Sequence, residues 1–181
     1  MGRAHEAGEP LSEAAVRHAF SQLVAALRHC HGLGIVHRDV KLDNCCWTTT
    51  EERVLQLIDF GYSSTTDVHT AFSGSAHYAA PEVHLADVNG GPSYSCSKSD
   101  TWSAGVCLFA MLATQLPFGG EEETDDERDA LRAKVCAGSW DVLPEERSDE
   151  SLELVSGLLT VDPAERSTLD EVWASAWMTA T

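Results

Sequence analysis

His37-Arg38-Asp39-Val40-Lys41-Leu42-Asp43-Asn44 is the stretch on which the reading of this chain turns. It sets a carboxylate, a lysine and a side-chain amide in one short polar loop, and two further motifs follow in order, Asp59-Phe60-Gly61 and Ala80-Pro81-Glu82. A His-Arg-Asp triplet alone is ordinary surface or capping chemistry; three motifs in this order are not. Upstream, Val16, Phe20, Leu23, Val24 and Leu27 recur at helical spacing from Leu11 on, with Ser12 as N-cap and Gly32 and Gly34 as the stop, so the loop follows a helix. Downstream, Cys45-Cys46-Trp47 and Val54-Leu55-Gln56-Leu57-Ile58 flank the charged turn Glu51-Glu52-Arg53 and read as a small hairpin. Asp59 to Glu82 is rich in Ser, Thr, Gly and Ala and is too long for an ordinary connector, which predicts a functional loop. Val88 to Ser97 reads as a second loop. Four helices complete the chain: a strongly apolar one from about Asp100 to Thr114, then Asp126 to Cys136, Ser151 to Leu159 and Thr168 to Trp177.

The composition bounds what such a chain can be. At 181 residues, 43% hydrophobic and 23% charged, it is one globular domain rather than a disordered tail. Its 12 basic against 29 acidic residues give a net charge of -17, which argues against nucleic-acid or anionic-membrane binding and fits basic partners. Six cysteines without a C-x-x-C pair read as reduced thiols of an intracellular protein, cytoplasmic or nuclear. Met1 to Ala15 lacks the apolar core of a secretory signal, Glu6 spoils a myristoylation motif, and the longest apolar run, Ala104 to Ala113, is about half of a bilayer span. His29-Cys30-His31 offers too few ligands for zinc, and Cys45 and Cys46, adjacent on a strand, point to opposite faces as packing residues. The acidic run Glu121 to Asp129 reads as a solvated face, with a docking surface for basic proteins as the functional alternative. Trp102, Trp173 and Trp177 read as core aromatics.

Together with Asp100-Thr101-Trp102-Ser103-Ala104-Gly105-Val106 and Asp162-Pro163 with Arg166, the three motifs resemble the signature set of eukaryotic Ser/Thr protein kinases, over nearly the whole chain. The resemblance implies a mainly α fold with a small β-hairpin, the C-terminal lobe of the kinase fold, with residues 1–181 forming a partial kinase domain. It implies ATP- and Mg²⁺-dependent phosphorylation of Ser or Thr in protein substrates, basic ones in view of the charge. Asp39 would be the base and Lys41 would neutralise the transferring phosphoryl group. Asn44 and Asp59 would ligate Mg²⁺, while Cys46 would lie under the adenine ring. Ser75 would bond the base and the lysine. His37 and Phe60 would stack towards Asp100, which would anchor the catalytic-loop backbone, Gly61 would be a further structural residue, and Glu82 would pair with Arg166. Arg38 would receive a phosphate from the long loop, with Thr70 as the candidate site; the alternative is Asp67 pairing with Arg38 and ordering that loop without phosphate. Gly61-Tyr62-Ser63, Lys41-Leu42-Asp43-Asn44 and Leu116-Pro117-Phe118 look most like the calcium/calmodulin-dependent group and its SNF1-related branch.

The chain also departs from that pattern. The Gly-rich loop, the strand lysine and the αC glutamate of the β-rich N-terminal lobe are absent, which predicts weak ATP binding and poor transfer by these residues alone. A second class of function follows from the same departure, a catalytically silent, pseudokinase-like scaffold that binds proteins. Cys46 stands where the family carries Leu or Met, Ala76 where it carries Pro, and Ala71 where the SNF1-related branch carries its main activating Ser or Thr.

Overall fold

The computed structural model describes residues 11–48, 53–86, 91–119 and 124–180. Ser12 caps the first helix, its hydroxyl accepting the Ala15 N–H at 3.3 Å, and α1 runs Glu13–Gly32 with Val16, Phe20, Leu23, Val24 and Leu27 on the buried stripe that the spacing predicted. Strands β1 (Cys45–Trp47) and β2 (Leu55–Leu57) pair antiparallel, with Cys45 opposite Leu57 and Trp47 opposite Leu55. This is the expected hairpin; Glu51 and Glu52 of its turn lie outside the described residues. The hairpin is tied to α1 where the Leu55 N–H donates to Gln22 Oε1 at 2.8 Å.

The long loop is more ordered than its sequence suggests. It contains short 3-10 turns at Phe60–Tyr62 and Ala76–Tyr78 and a two-residue strand, β3 (Val68–His69). Pro81 then opens α2 (Pro81–Ala86), where its missing N–H costs nothing. Strand β4 (Tyr94–Ser95) pairs with β3 and leads directly into α3 (Cys96–Ala113), which starts four residues before the expected Asp100 because Ser95 is its cap. From Ser99 to Ala110 α3 is buried without a break, so it is the central helix, packed against α1 and, on its other side, α5.

Helix α4 (Asp125–Ala137) opens on a capping box between Thr124 and Glu127, and α5 (Asp149–Leu158) is capped by Ser148. Glu121, Glu122 and Glu123 of the acidic run lie outside the described residues. The expected last helix is two, α6 (Leu169–Ala174) and α7 (Ala176–Thr179), since Ser175 turns extended and caps the second. Trp102 and Trp177 are buried, but Trp173 is 41% exposed and lies under the Arg28 guanidinium, 5.2 Å from it, so it is a surface residue rather than core. The architecture is mostly helical with two small two-stranded antiparallel sheets, in keeping with the lobe that the resemblance implies, and no larger β-sheet occurs among the described residues. No helix among them is long and apolar enough to cross a membrane.

Candidate active site

The stretch of residues 37–44 is bolted to α3. Asp100, 1% exposed, accepts the His37 N–H on Oδ2 and the Arg38 N–H on Oδ1, both at 2.8 Å. His31, at the end of α1, adds its Nε2 to Oδ2 at 2.9 Å. These bonds hold Arg38 in the left-handed region, at φ 69°, a conformation that costs a non-glycine residue about 1–3 kcal/mol. The His37 ring accepts the Asp39 N–H on Nδ1 at 3.3 Å, so Nε2 carries the proton and donates to the Ile58 carbonyl at 3.0 Å. Phe60 packs edge-on against the same ring at 4.8 Å. One buried imidazole therefore joins the loop carrying Asp39 to the loop carrying Asp59. Asp59 is itself left-handed, at φ 60°, with Oδ1 accepting the Gly61 N–H at 3.2 Å.

Four donors converge on the Asp39 carboxylate. Oδ1 accepts the Ser75 N–H and hydroxyl, each at 3.0 Å. Oδ2 faces Lys41 Nζ at 2.9 Å and accepts from Asn44 Nδ2 at 3.2 Å. Lys41 also donates to Ser75 Oγ at 2.8 Å, closing a ring of three side chains. Burial of Asp39 pushes its pKa up, but the bonds from Lys41, Ser75 and Asn44 and the lysine charge outweigh that and hold it below the usual carboxylate value. The group is an oriented anion at neutral pH. Gly74 is what lets Ser75 come so close: it sits at φ +87°, and a Cβ there would lie 2.4 Å from the Arg38 carbonyl.

Asn44 spends its amide nitrogen on Asp39, on the main-chain carbonyl at 2.8 Å as well as on Oδ2, so the side-chain oxygen is what it can offer a cation. With the Asp59 carboxylate this makes a pair of hard oxygen donors, a set that suits Mg²⁺ shared with phosphate oxygens. Among the described residues no group of three or more His, Cys, Asp or Glu is placed to hold a metal without such help. Cys46 is exposed on the outer face of the hairpin, whereas Cys45 faces inward and burial pushes its thiol up to about 12. Ile58, Phe60 and Tyr62, 40–53% exposed, continue the apolar surface around the loops. Beside Ser75 a cleft of about 740 Å³ opens, lined by Phe72, Ala76, His84, Leu131 and Arg132 among others.

Glu82 and Arg166 lie apart from this cluster and form a bidentate pair at 2.7 and 2.8 Å. Thr70 is exposed. Arg38 donates from Nη1 to the Tyr62 carbonyl at 3.2 Å, while its buried Nε has no partner among the described residues. The Asp67 carboxylate does not pair with Arg38; it is taken by Ser95 and Ser97 at the start of α3. Sequence reasoning missed two residues that organise the site, His31 and Tyr94, and gave Asp67 the wrong partner. Of the two, only His31 left a signal, lying beyond the apolar stripe of α1 at the end nearest the loop.

The protein kinase domain model matches residues 2–178. A probable serine/threonine-protein kinase MARK-A of Dictyostelium discoideum is 34% identical over 174 residues, covering 94% of this chain and 15% of that protein. The mitosis inducer protein kinase cdr1 of Schizosaccharomyces pombe is 34% identical over 93% of this chain and 27% of its own length. Serine/threonine-protein kinase SRK2D of Arabidopsis thaliana is 32% identical, again over 92% of this chain and 45% of its own. The chain thus spans less than half the length of each of these relatives. With the family model matching almost end to end on a kinase C-lobe fold, the chain belongs to the protein kinase domain family, among the serine/threonine kinases.

Proposed function

We propose that this chain supplies the catalytic lobe of a kinase that transfers the γ-phosphoryl group of ATP to Ser or Thr hydroxyls of protein substrates. The observation that carries the reading is the ionised Asp39 carboxylate, aimed by Ser75, Lys41 and Asn44 at one point on the lobe surface. There a substrate hydroxyl would donate its hydrogen bond to Asp39, which orients the oxygen for attack on phosphorus and takes up its proton. Lys41 is near enough to the same carboxylate to share its charge with the group in transfer. Asn44 and Asp59 would hold Mg²⁺, which when bound neutralises triphosphate charge. Cys46 would form part of the floor beneath the adenine. The cleft beside Ser75 would take the polypeptide flanking the target residue, and the net charge of -17 favours basic segments there. Arg38, with its unpartnered Nε, would receive a loop phosphate, and exposed Thr70 is the candidate carrier. Motif wording supports placing the chain in the calcium/calmodulin-dependent group, SNF1-related branch.

The test is Asp39→Asn in the full-length protein carrying the nucleotide-covering lobe, assayed with Mg-ATP and a basic test protein. Turnover should fall by about 10²–10⁴-fold while nucleotide affinity stays within a few-fold. Undiminished phosphorylation by the variant would remove Asp39 from the chemistry.

A further inference from the structure

The segment that delivers Ser75 to Asp39 is held at three places. Its start is fixed where Val36 and Ser64 exchange main-chain bonds of 2.9 and 3.0 Å, and its end where Ser75 meets Asp39. The third fixing lies between them and uses the N-terminus of α3. Asp67 accepts the Ser97 N–H on Oδ1 at 2.7 Å and the Ser95 hydroxyl on Oδ2 at 2.8 Å, and its carbonyl accepts the Cys96 N–H at 2.7 Å. Val68 and His69 then pair with Ser95 and Tyr94, and the Tyr94 hydroxyl donates to the Ala71 carbonyl at 2.9 Å.

A helix start leaves main-chain N–H groups without internal partners and carries partial positive charge, so it favours a carboxylate. Helix α3 has its own cap, but the Ser95 hydroxyl reaches the Lys98 N–H at a long 3.4 Å and gives its proton to Asp67. The stronger anionic contact thus comes from the segment. One turn further along α3 stands Asp100, which holds the catalytic-loop backbone. Segment and catalytic loop are therefore referenced to the same rigid helix, and Arg38 contributes nothing to the middle fixing.

We infer that Asp67 is a positioning residue: by capping α3 from outside the helix, it holds residues 67–75, and with them Ser75, in register with Asp39 without a phosphate on the segment. The consequence for turnover rests on the kinase reading; the anchoring itself does not. Phosphorylation at Thr70 would then act on a segment already in place.

Hydrogen exchange on the 181-residue chain, shown phosphate-free by intact mass, tests this alongside Asp67→Ala and Asp67→Asn. The unmodified chain should protect peptides spanning 67–75 and 94–98. Asp67→Ala should speed their exchange about tenfold or more while α1 and α5 keep their rates. Asp67→Asn keeps an oxygen acceptor and should recover most of the protection. Absent protection in the phosphate-free chain, unchanged exchange in Asp67→Ala, or equal loosening of α1 and α5 in both variants would each overturn the inference. Failure of the full-length protein to phosphorylate any substrate would count against the kinase reading alone.

Discussion

Arg166 uses every hydrogen-bonding direction a guanidinium has. Nε donates to the Thr160 carbonyl at 2.9 Å, Nη1 to Glu82 Oε1 and the Lys98 carbonyl, and Nη2 to Glu82 Oε2 and the Val161 carbonyl. Its side chain is fully buried, 5.0 Å above the Trp102 ring. Such a cation is tolerable only while its counter-charge is present, so Glu82→Ala should cost about 3–5 kcal/mol by stranding it. Glu82→Gln leaves an oxygen to accept one bond and should cost less. Urea unfolding of the three proteins measures this, and a loss below about 1 kcal/mol for Glu82→Ala would mean that water reaches the guanidinium. At this scale the residues alone were a good guide to types and a poor one to partners, while the family resemblance supplied the pairings of Ser75 with Asp39 and Lys41 and of Glu82 with Arg166. The spacing of Asp39, Lys41 and Asn44 announces a shared loop, and the structure brings them together. Nothing local to Asp67 says whether it meets Arg38 or α3, because the choice depends on how the segment lies across a helix that begins some thirty residues later.

Elements were legible where one face is dry and the other wet. Helix α1 and α5 announce themselves through such stripes, and α1 through its Ser12 cap as well. Helix α3 is dry on all sides from Ser99 to Ala110, its first turn carries no apolar periodicity, and Cys96 and Ser97 read as loop. Strands β3 and β4 have two residues each, too short to show alternation, and Ser175 splits the last helix by a cap that an apolar count ignores. The close approach of α3 to α5 is likewise a tertiary fact. A Cβ on Gly105 would stand 2.7 Å from Leu158 Cβ, an atom tied to its own backbone, so the two helices would have to part. Gly105→Ala gains about 1 kcal/mol of helix propensity but should lose about 1–3 kcal/mol to overpacking, leaving a lower Tm. A Tm equal to or above that of the unmodified chain would show that α5 can move aside freely.

The molecule as a whole is closed by one carboxylate near the start of the described chain. Glu13 accepts the Ser148 N–H at 2.6 Å, the Ser148 hydroxyl at 2.8 Å and the Trp177 indole N–H at 2.9 Å, so it ties α1 to the start of α5 and to α7. Beside it Arg147 reaches the Leu11 carbonyl at 2.9 Å. Burial pushes the Glu13 pKa up, but the bonds from Ser148 and Trp177 and the charge of Arg147 outweigh it, and the net direction is below the ordinary 4.5. A carboxyl with a depressed folded pKa stabilises fully above its unfolded pKa, and that contribution disappears as pH falls through the folded value. Asp39 and Asp67 shift in the same direction. Acidification also relieves the self-repulsion of a chain with net charge -17, which acts the other way, so absolute stability does not isolate Glu13. The difference between the chain and Glu13→Gln does, because the background is common to both. Hydrogen bonds to a charged group contribute about 1.5–3 kcal/mol, and solvent screening at this partly exposed carboxylate lowers the expected difference to about 1–2 kcal/mol at pH 7, shrinking steadily as pH falls from 4.5 towards 3. A gap that persists undiminished at pH 3 would show that Glu13 acts through shape and neutral hydrogen bonding rather than through its charge.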